Sequence, residues 1–238
     1  MTKITDLGLE QLEKRYFDII LNILEKNKDY IKKRLESMDN TKKYWGSKIK
    51  EDIRKQPIIK NGTERITESL IARKTSWEVS SIPVGSDLCY EDEEAIIHID
   101  DKSLFKSDID VRNKRVAVRE NQVSYKQPNK IFGKRGKRKG TFMDFEPALP
   151  QYYDDRACLT YFIQFVYDET INKTIKIILW CVPNGQLSNH YNDIYEAPKT
   201  WPGGPRVIRD KIEQSKLLKD WKRVIELDFN SKNQTILQ

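Results

Sequence analysis

The stretch of sequence that decides the fold covers residues 95–102 and reads Ala-Ile-Ile-His-Ile-Asp-Asp-Lys. Its apolar, β-branched start predicts a buried strand, and strand alternation puts Asp100 and Lys102 on the same face. Upstream, residues 81–90 predict a turn that leads into a short strand, and the acidic residues between the two runs predict the tip of a hairpin. Such a hairpin would bring Asp87 close to the other two charged side chains.

These three side chains point to a metal-dependent reaction on a phosphate. Two carboxylates at neighbouring strand ends supply the oxygen ligands that Mg²⁺ prefers, and a lysine beside the ion can orient a water or stabilise charge on a phosphate. Only two acid-x-Lys triplets occur in the chain, at residues 100–102 and 220–222. A solvated helix face explains the second triplet, whereas a charged strand end at the surface is the alternative interpretation of the first.

The arrangement resembles the PD-(D/E)xK nuclease superfamily and, within it, the type II restriction endonucleases. The family pattern is an acid at the start of one strand and an acid-x-Lys on the next, and Asp87, Asp100 and Lys102 match those positions. The proline that normally precedes the first acid is not adjacent here, because Pro83 lies four residues earlier and Ser86 takes its place. The resemblance implies an α/β (α+β) fold with a restriction-endonuclease-like core, in which helices flank a mixed central β-sheet.

The same resemblance implies Mg²⁺-dependent double-strand cleavage of DNA at a short specific sequence, which leaves 5′-phosphate and 3′-hydroxyl ends. The two matched aspartates would bind the ion together with the backbone carbonyl of Asp101, and Lys102 would lie next to the attacking water. Many members carry a further glutamate on the helix before the first strand. Glu68 is the candidate and Glu64 the runner-up, with an ordinary solvated helix residue as the alternative for either.

Implied partners follow from the resemblance as well. Enzymes of this type that cut palindromes are usually two-fold dimers, so a homodimer acting on double-stranded DNA is expected. A cognate DNA methyltransferase is expected in the same system, without a stable complex. A repair or recombination nuclease with the same core is the nearest alternative. A non-catalytic, sequence-specific DNA-binding protein is the alternative from another class, although it gives no reason for the three motif residues.

Composition supports a polyanionic partner and excludes several other classes. The chain has 238 residues, a formal charge of +7 and a pI near 9.1. With three cysteines, no C-x-x-C spacing and two histidines, a structural zinc site is not expected. Cys158 and Cys181 lie in apolar runs and are predicted to be buried free thiols, which suits the cytoplasm. The sequence shows no signal peptide and no membrane-spanning stretch.

Two loops are candidates for contacts with DNA. The loop at residues 129–140 is rich in cations and glycine, and such a loop can lie along phosphates or enter a groove. A merely solvated basic loop and a localisation tag are the alternatives. A second, polar loop follows residue 185, and its amide groups could read base edges, with a structured surface loop as the alternative. The candidate contact residues are Lys130, Lys134, Arg135, Lys137, Arg138, Lys139, Asn189, His190 and Asn192.

We predict a single nuclease domain over residues 1–238. It has a helical N-terminal region at 1–60, a catalytic core at 61–185 that contains the basic loop, and a loop followed by a helical region at 186–238. Apolar runs at residues 159–167 and 174–182 predict two paired central strands within the core.

Helices are predicted on both sides of this core. Apolar residues at three-to-four spacing predict one long helix or two over residues 6–38. Their stripe is not a strict heptad, which favours packing on the chain's own core over a dimerisation element. Pro57 and Asn61-Gly62 are predicted breaks, and Thr63 is the predicted N-cap of the next helix. A C-terminal helical region is predicted over residues 208–225.

Overall fold

The computed structural model describes residues 4–45, 56–80, 85–133, 139–168, 170–171, 173–191, 193–198, 204–214 and 216–229, with side chains described outside residues 37–61. Several residues singled out in the sequence therefore lie outside the described residues. These are Pro83, Lys134, Arg135, Lys137, Arg138 and Asn192.

Five α-helices and twelve strands form within these ranges. The helices are α1 (Asp6–Lys26), α2 (Lys28–Trp45), α3 (Gln56–Lys74), α4 (Ile109–Arg112) and α5 (Arg209–Gln214). The strands are β1 (Glu78–Val79), β2 (Leu88–Glu91), β3 (Ala95–Phe105), β4 (Arg115–Ala117), β5 (Ile131–Phe132), β6 (Phe142–Met143), β7 (Tyr152–Tyr153), β8 (Arg156–Asp168), β9 (Lys173–Val182), β10 (Tyr195–Glu196), β11 (Arg206–Ile208) and β12 (Val224–Asp228).

A mixed sheet of seven strands is the centre of the described part of the chain. Its order is β1-β2-β3-β8-β9-β12, with β7 paired to β8. Strands β3 and β8 run parallel, whereas every other pair in this sheet is antiparallel. The long strands β8 and β9 are the predicted central pair, and both Cys158 and Cys181 are buried free thiols as predicted. The sheet confirms the mixed α+β architecture.

Helices α1 and α3 cover one face of this sheet. Tyr161 on β8 donates to the backbone carbonyl of Glu13 on α1 at 2.9 Å, and the hydroxyls of Thr63 on α3 and Ser103 on β3 lie 3.0 Å apart. The apolar stripe of α1 is buried in the core, which confirms packing rather than an exposed seam. The odd-numbered residues at the end of β3 therefore face the helices.

A small sheet of order β10-β11-β4 covers the opposite face. Gln164 is the cross-strand partner of Lys102, and its side-chain amide donates to the backbone carbonyl of Arg115 on β4 at 3.3 Å. Asp100 and Lys102 therefore face the small sheet. Strand β4 of that sheet belongs to the connection between β3 and β8. No helix in the described part of the chain is long and apolar enough to cross a membrane.

The helices predicted for the first 74 residues are present, and two boundaries differ from the prediction: α2 continues to Trp45 instead of ending near residue 38, and α3 begins before residue 63. The first region divides into α1 and α2 at Asn27, whose side-chain amide donates to the carbonyl of Ile23 at 2.7 Å. Helix α3 begins at Gln56, so Thr63 lies inside it instead of capping it. Pro57 is tolerated because it lies in the first turn, where a helix needs no backbone donor. Packing of α3 against β3 overrides the weak break predicted at Asn61-Gly62.

The prediction of a C-terminal helix over residues 208–225 is largely wrong. Helix α5 ends at Gln214, and the chain then turns into β12, which pairs with β9 along an otherwise open edge. The Asp220-Trp221-Lys222 triplet consequently lies in a turn before a strand and not on a helix. The β-branched pair Val224 and Ile225 favours the strand, and sheet pairing outweighs the helical spacing of the segment before it.

Candidate active site

The hairpin of β2 and β3 brings the first predicted acid to the second, as the sequence indicates. Leu88 pairs with Ile99, so Asp87 lies directly before β2 and beside Asp100. Strand β3 continues to Phe105, so Asp100 lies within the strand and not at the strand end that the sequence predicts. The Asp87 Oδ2 atom accepts a hydrogen bond from the backbone N–H of Asp101 at 2.9 Å. This side chain is exposed and fixed to the strand that carries the other two motif residues.

Asp100 and Lys102 form an ion pair on the face that meets the small sheet. The Asp100 side chain is 3% exposed and that of Lys102 is 22% exposed, so the lysine forms the solvent side of the pair. The Lys102 ammonium also lies 5.4 Å from the centre of the Phe162 ring, a cation–π distance. A mostly buried carboxylate and a lysine open to solvent are thereby held together.

Gln122 is a site residue that the sequence did not reveal. Its side-chain amide donates to Asp100 Oδ2, and its Oε1 atom accepts from the backbone N–H of Arg119 at 2.9 Å. Thr160 on β8 donates to the Gln122 backbone carbonyl at 3.2 Å. The glutamine is buried and fixed at three atoms. No periodicity or motif marks such a residue, because its contact with Asp100 spans 22 positions of sequence.

Gln122 ends a short 3-10 turn, Glu120–Gln122, that also contacts the loop before Asp87. A Cβ on Gly85 would lie 1.8 Å from the side-chain nitrogen of Asn121 in this turn. Only glycine fits there without displacing Asn121. One turn therefore touches the backbone two residues before Asp87 and the side chain of Asp100.

Asp101 points to the opposite face, towards α3. It is fully buried, and burial is the largest cause that raises its pKa well above the usual carboxyl value. The Thr67 hydroxyl lowers this pKa, while the charges of Asp87, Asp100 and Glu64 raise it. Several carboxyl groups are thus concentrated around the middle of β3.

The two glutamates proposed from the sequence are both on α3, on the Asp101 side of β3. Glu64 is close enough to raise the pKa of Asp101. Glu68 is exposed. The pKa of Tyr90 is raised to about 12, first by the burial of the tyrosine and then by the charge of Glu68. Both glutamates thus lie on the α3 side of β3, and neither lies on the face of Asp100 and Lys102.

His98 precedes Asp100 on the same face and is a structural residue. It is buried, and burial lowers its pKa to about 4, so the ring is neutral at pH 7. Its Nδ1 atom lies 3.4 Å from the Ser86 hydroxyl, next to Asp87. The histidine therefore fills space beneath the first acid without adding charge.

The donor set suits a hard divalent cation. Repulsion among Asp87, Asp100 and Asp101 contributes to the raised pKa of Asp101, and a cation would relieve that repulsion. Within the described ranges, no three Asp, Glu, His or Cys side chains already form a complete ligand group. Backbone carbonyl and water ligands would therefore have to complete the coordination shell.

The described DNA-contact candidates fall into two places. Lys130 and Lys139 flank the tip of the β5–β6 hairpin and are exposed. His190 instead pairs with Asp6 at the start of α1 at 2.8 Å, and Asn189 ends the 3-10 helix Gly185–Asn189. This second loop packs on α1. The alternative interpretation, a structured surface loop, therefore accounts for His190, whereas Asn189 is exposed to solvent.

Solved structures define the class of protein to which this fold belongs. The chain is similar to the restriction endonuclease BglI bound to its DNA recognition sequence, with a TM-score of 0.73 and 17% identity over 94% of this chain and 91% of that chain. It is also similar to the tetrameric restriction endonuclease SfiI bound to cognate DNA, with a TM-score of 0.68 and 15% identity over 96% of this chain and 88% of that chain. The fold is that of the restriction endonucleases.

The sequence narrows this class to a family. The family model described as Type II restriction enzyme MwoI, N-terminal domain, matches residues 5–172, which include all three motif residues. The chain belongs to this family of type II restriction enzymes. No curated protein shows significant sequence similarity to it.

Proposed function

We propose that this protein makes Mg²⁺-dependent double-strand cuts in DNA at a short specific sequence, leaving 5′-phosphate and 3′-hydroxyl ends. The observation that carries the proposal is the joint placement of Asp87, Asp100 and Lys102 at the end of the β2–β3 hairpin. Membership of a type II restriction enzyme family supports the same activity.

In the proposed site, Asp87 and Asp100 hold Mg²⁺ together with the backbone carbonyl of Asp101. When bound, the ion lowers the pKa of a water and neutralises charge on the phosphate. The Asp101 N–H fixes the Asp87 carboxylate, and Gln122 fixes that of Asp100, so both ligands are oriented in advance. Glu68 is proposed to hold a second ion or a water from the α3 side, with Glu64 as the alternative.

Lys102 is proposed to act on the water and the phosphate. Its ammonium is held by Asp100 on the solvent side of the pair, where a substrate phosphate can approach. An ammonium has three donors, so Lys102 can keep Asp100 while it donates to the attacking water or to a phosphate oxygen. Its positive charge then stabilises the additional negative charge that develops on the phosphate in the transition state.

The partners are proposed on the same basis. Lys130, Lys134, Arg135, Lys137, Arg138 and Lys139 are proposed contacts to DNA, and Asn189, His190 and Asn192 remain candidates for base contacts. We propose a homodimer, since two sites cut the two strands of a palindrome. The free buried thiols suit the cytoplasm, where a cognate DNA methyltransferase would protect host DNA without a stable complex.

Incubation with plasmid DNA and Mg²⁺ tests the activity. Discrete fragments support a site-specific enzyme, a smear indicates a repair-type nuclease, and intact plasmid contradicts both. Asp87→Ala and Lys102→Ala should each abolish cleavage while DNA binding in EDTA is retained. Lys106→Ala is the matched control, because Lys106 lies on the chain just beyond β3 and pairs with Asp168 at 3.0 Å. Full cleavage by Asp87→Ala or Lys102→Ala would overturn the assignment of the site.

Light scattering of the purified protein tests the homodimer. A mass of twice 28.1 kDa supports it, and a monomer that persists with bound DNA contradicts it.

A further inference from the structure

The hairpin of β5 and β6 presents two aromatic rings to solvent. Ile131 pairs with Met143, and Phe132 pairs with Phe142. The first pair is buried, at 3% and 8% exposure, whereas Phe132 and Phe142 are 44% and 66% exposed. Their ring centres are 5.3 Å apart, so they form one apolar surface that the core does not use. Adjacent exposed phenylalanines of this kind indicate a contact surface more than a contribution to folding.

The body of the protein holds the base of this hairpin firmly. Phe145, just after β6, packs against Tyr195 with ring centres 5.1 Å apart. The Gln127 side chain, ahead of β5, accepts from the Tyr195 backbone N–H at 2.9 Å. These contacts hold the base of the hairpin in place. Little ordering of the hairpin backbone is therefore needed when the two phenylalanine rings bind a partner.

Cations follow the rings towards the tip. The Gly133 N–H donates to the Thr141 carbonyl at 2.8 Å and that of Gly140 to the Gly133 carbonyl at 3.0 Å, so the pairing of the strands continues past Phe132 and Phe142. Between these glycines the sequence reads Lys-Arg-Gly-Lys-Arg-Lys. Nearer the base, Lys130 is 65% exposed and lies 3.4 Å from Asp144, which is 82% exposed. The sequence that joins the two strands thus carries a strong excess of positive charge, and Lys139 within it and Lys130 before β5 are the described, exposed cations.

The hairpin also lies on the same side of the large sheet as Asp100 and Lys102. Strand β10 of the small sheet contacts β5, and β4 of the same sheet accepts the Gln164 hydrogen bond beside Lys102. The hairpin is therefore attached to the layer that covers the Asp100 face, opposite the layer of α1 and α3.

We infer that the β5–β6 hairpin inserts into a groove of duplex DNA, with Phe132 and Phe142 as an apolar wedge against sugars and bases. The inference rests on the proposed function for the identity of the polyanion. Lys130 and Lys139, the described exposed cations next to the rings, bind phosphates beside the groove, which brings the rings to the base steps. Apolar side chains placed there partly unstack the bases and bend the duplex.

The test measures binding to a short duplex of mixed sequence, in EDTA, over a range of salt concentrations. Phe132→Ala and Phe142→Ala should each weaken binding about tenfold, the range of aromatic contacts with bases, with no change in salt dependence. Lys130→Gln and Lys139→Gln should instead reduce the slope of log affinity against log salt by about one per lost phosphate contact. Val79→Ala is the matched control, since Val79 is 76% exposed on the outer strand β1.

A 2-aminopurine in the duplex gives a second readout. Its fluorescence should rise when wild-type protein binds, because unstacking relieves quenching, and should not rise with the double variant Phe132→Ala/Phe142→Ala. Unchanged affinity and fluorescence in the double variant overturn the wedge, as does a loss matched by Val79→Ala. Binding is measured without Mg²⁺, so an inactive but DNA-binding wild type would contradict the nuclease proposal alone.

Discussion

At the scale of single residues, Asp100 depends on two neighbours with different roles. Lys102 neutralises the carboxylate from the solvent side, and Gln122 donates to its other oxygen from the protein interior. The glutamine touches neither the motif lysine nor Asp87 in these bonds. We therefore interpret Gln122 as a positioning residue of the proposed site, and its removal should change how well Asp100 binds the proposed ion more than how the reaction proceeds.

Replacement of Gln122 tests this role. Gln122→Ala should raise the Mg²⁺ concentration needed for half-maximal cleavage about 10- to 100-fold, the usual effect of losing a partner of a metal ligand. Gln122→Glu should be at least as harmful, because a carboxylate would face Asp100. The rate at saturating Mg²⁺ should recover for Gln122→Ala. A rate that falls at every Mg²⁺ concentration, with the midpoint unchanged, contradicts a positioning role.

The residue scale also shows what the sequence could reveal about the site. The proximity of Asp87, Asp100 and Lys102 was predictable because strand alternation and hairpin pairing are local rules. Gln122 was not, since a 3-10 turn carries no periodic signal. Glu64 and Glu68 were predictable as helix residues, but which of them is nearer the strand end depends on how α3 packs on β3.

At the scale of elements, the turn Glu120–Gln122 connects two parts of the site. Its Asn121 side chain lies against Gly85 in the loop before Asp87, and its Gln122 side chain reaches Asp100. A shift of this turn would therefore move both acids relative to each other. The close approach of Gly85 is what makes the contact possible.

A compensating pair of substitutions examines this contact. Gly85→Ala places a Cβ within 1.8 Å of the Asn121 side chain, so cleavage should slow and the melting temperature should fall. Asn121→Ala in the same chain removes the colliding group and should restore both quantities towards wild type. Because Asn121 is exposed and its side chain can rotate, a cost of about 1 kcal/mol is expected for the single variant, as for a side chain held off its preferred rotamer. Failure of the double variant to recover would place the strain elsewhere.

Two elements show why sequence periodicity has limits here. Helix α3 continues through residues 61 and 62 because it packs on β3, which an Asn-Gly pair alone does not indicate. Strand β12 forms because β9 offers an open edge, although the preceding residues repeat at helical spacing. In both cases a partner distant in sequence decides the local structure.

At the scale of the whole molecule, one buried ion cluster joins the two ends of the described chain. The Arg223 guanidinium, before β12, donates to Glu10 at 3.0 Å and to Glu13 at 2.6 Å, both on α1. All three side chains are at most 1% exposed. The guanidinium also donates to the Tyr191 hydroxyl at 2.9 Å and lies 4.2 Å from the centre of a Trp221 ring. Every donor direction described for it is thus used within the core.

Removal of this guanidinium should be among the most damaging single changes. Arg223→Met should cost about 3–5 kcal/mol in the free energy of unfolding, because two buried carboxylates lose their counter-ion. Arg209→Met is the matched control: Arg209 pairs with Glu226 at 2.6 Å but both side chains are partly exposed, so its loss should cost about 1 kcal/mol or less. Urea unfolding measures both values, and similar losses in the two variants would contradict a special role for the buried cluster.

The sequence could not predict this ion cluster, for a physical reason. Glu10 and Glu13 have the spacing of a solvated helix face, and Arg223 follows a lysine in a segment that looked like a basic helix. A fully buried charge is rare unless it is paired, and the pairing exists only in three dimensions. Composition and the motif could predict an apolar core and the three motif residues. They could not predict which buried charges pair with one another.

The ion cluster also sets an order of events during protein synthesis. Glu13 leaves the ribosome 210 residues before Arg223, so the packing of α1 stays incomplete until Arg223 has emerged. We expect a nascent chain that stops before Arg223 to remain sensitive to proteases, even though β2, β3 and their acids are already made. Protease digestion of stalled nascent chains, extended at the C-terminus so that residue 223 clears the ribosome, would show whether resistance arises only once Arg223 has emerged. If it does, the first helix acquires its stable packing only after the segment that forms the outermost strand has been made.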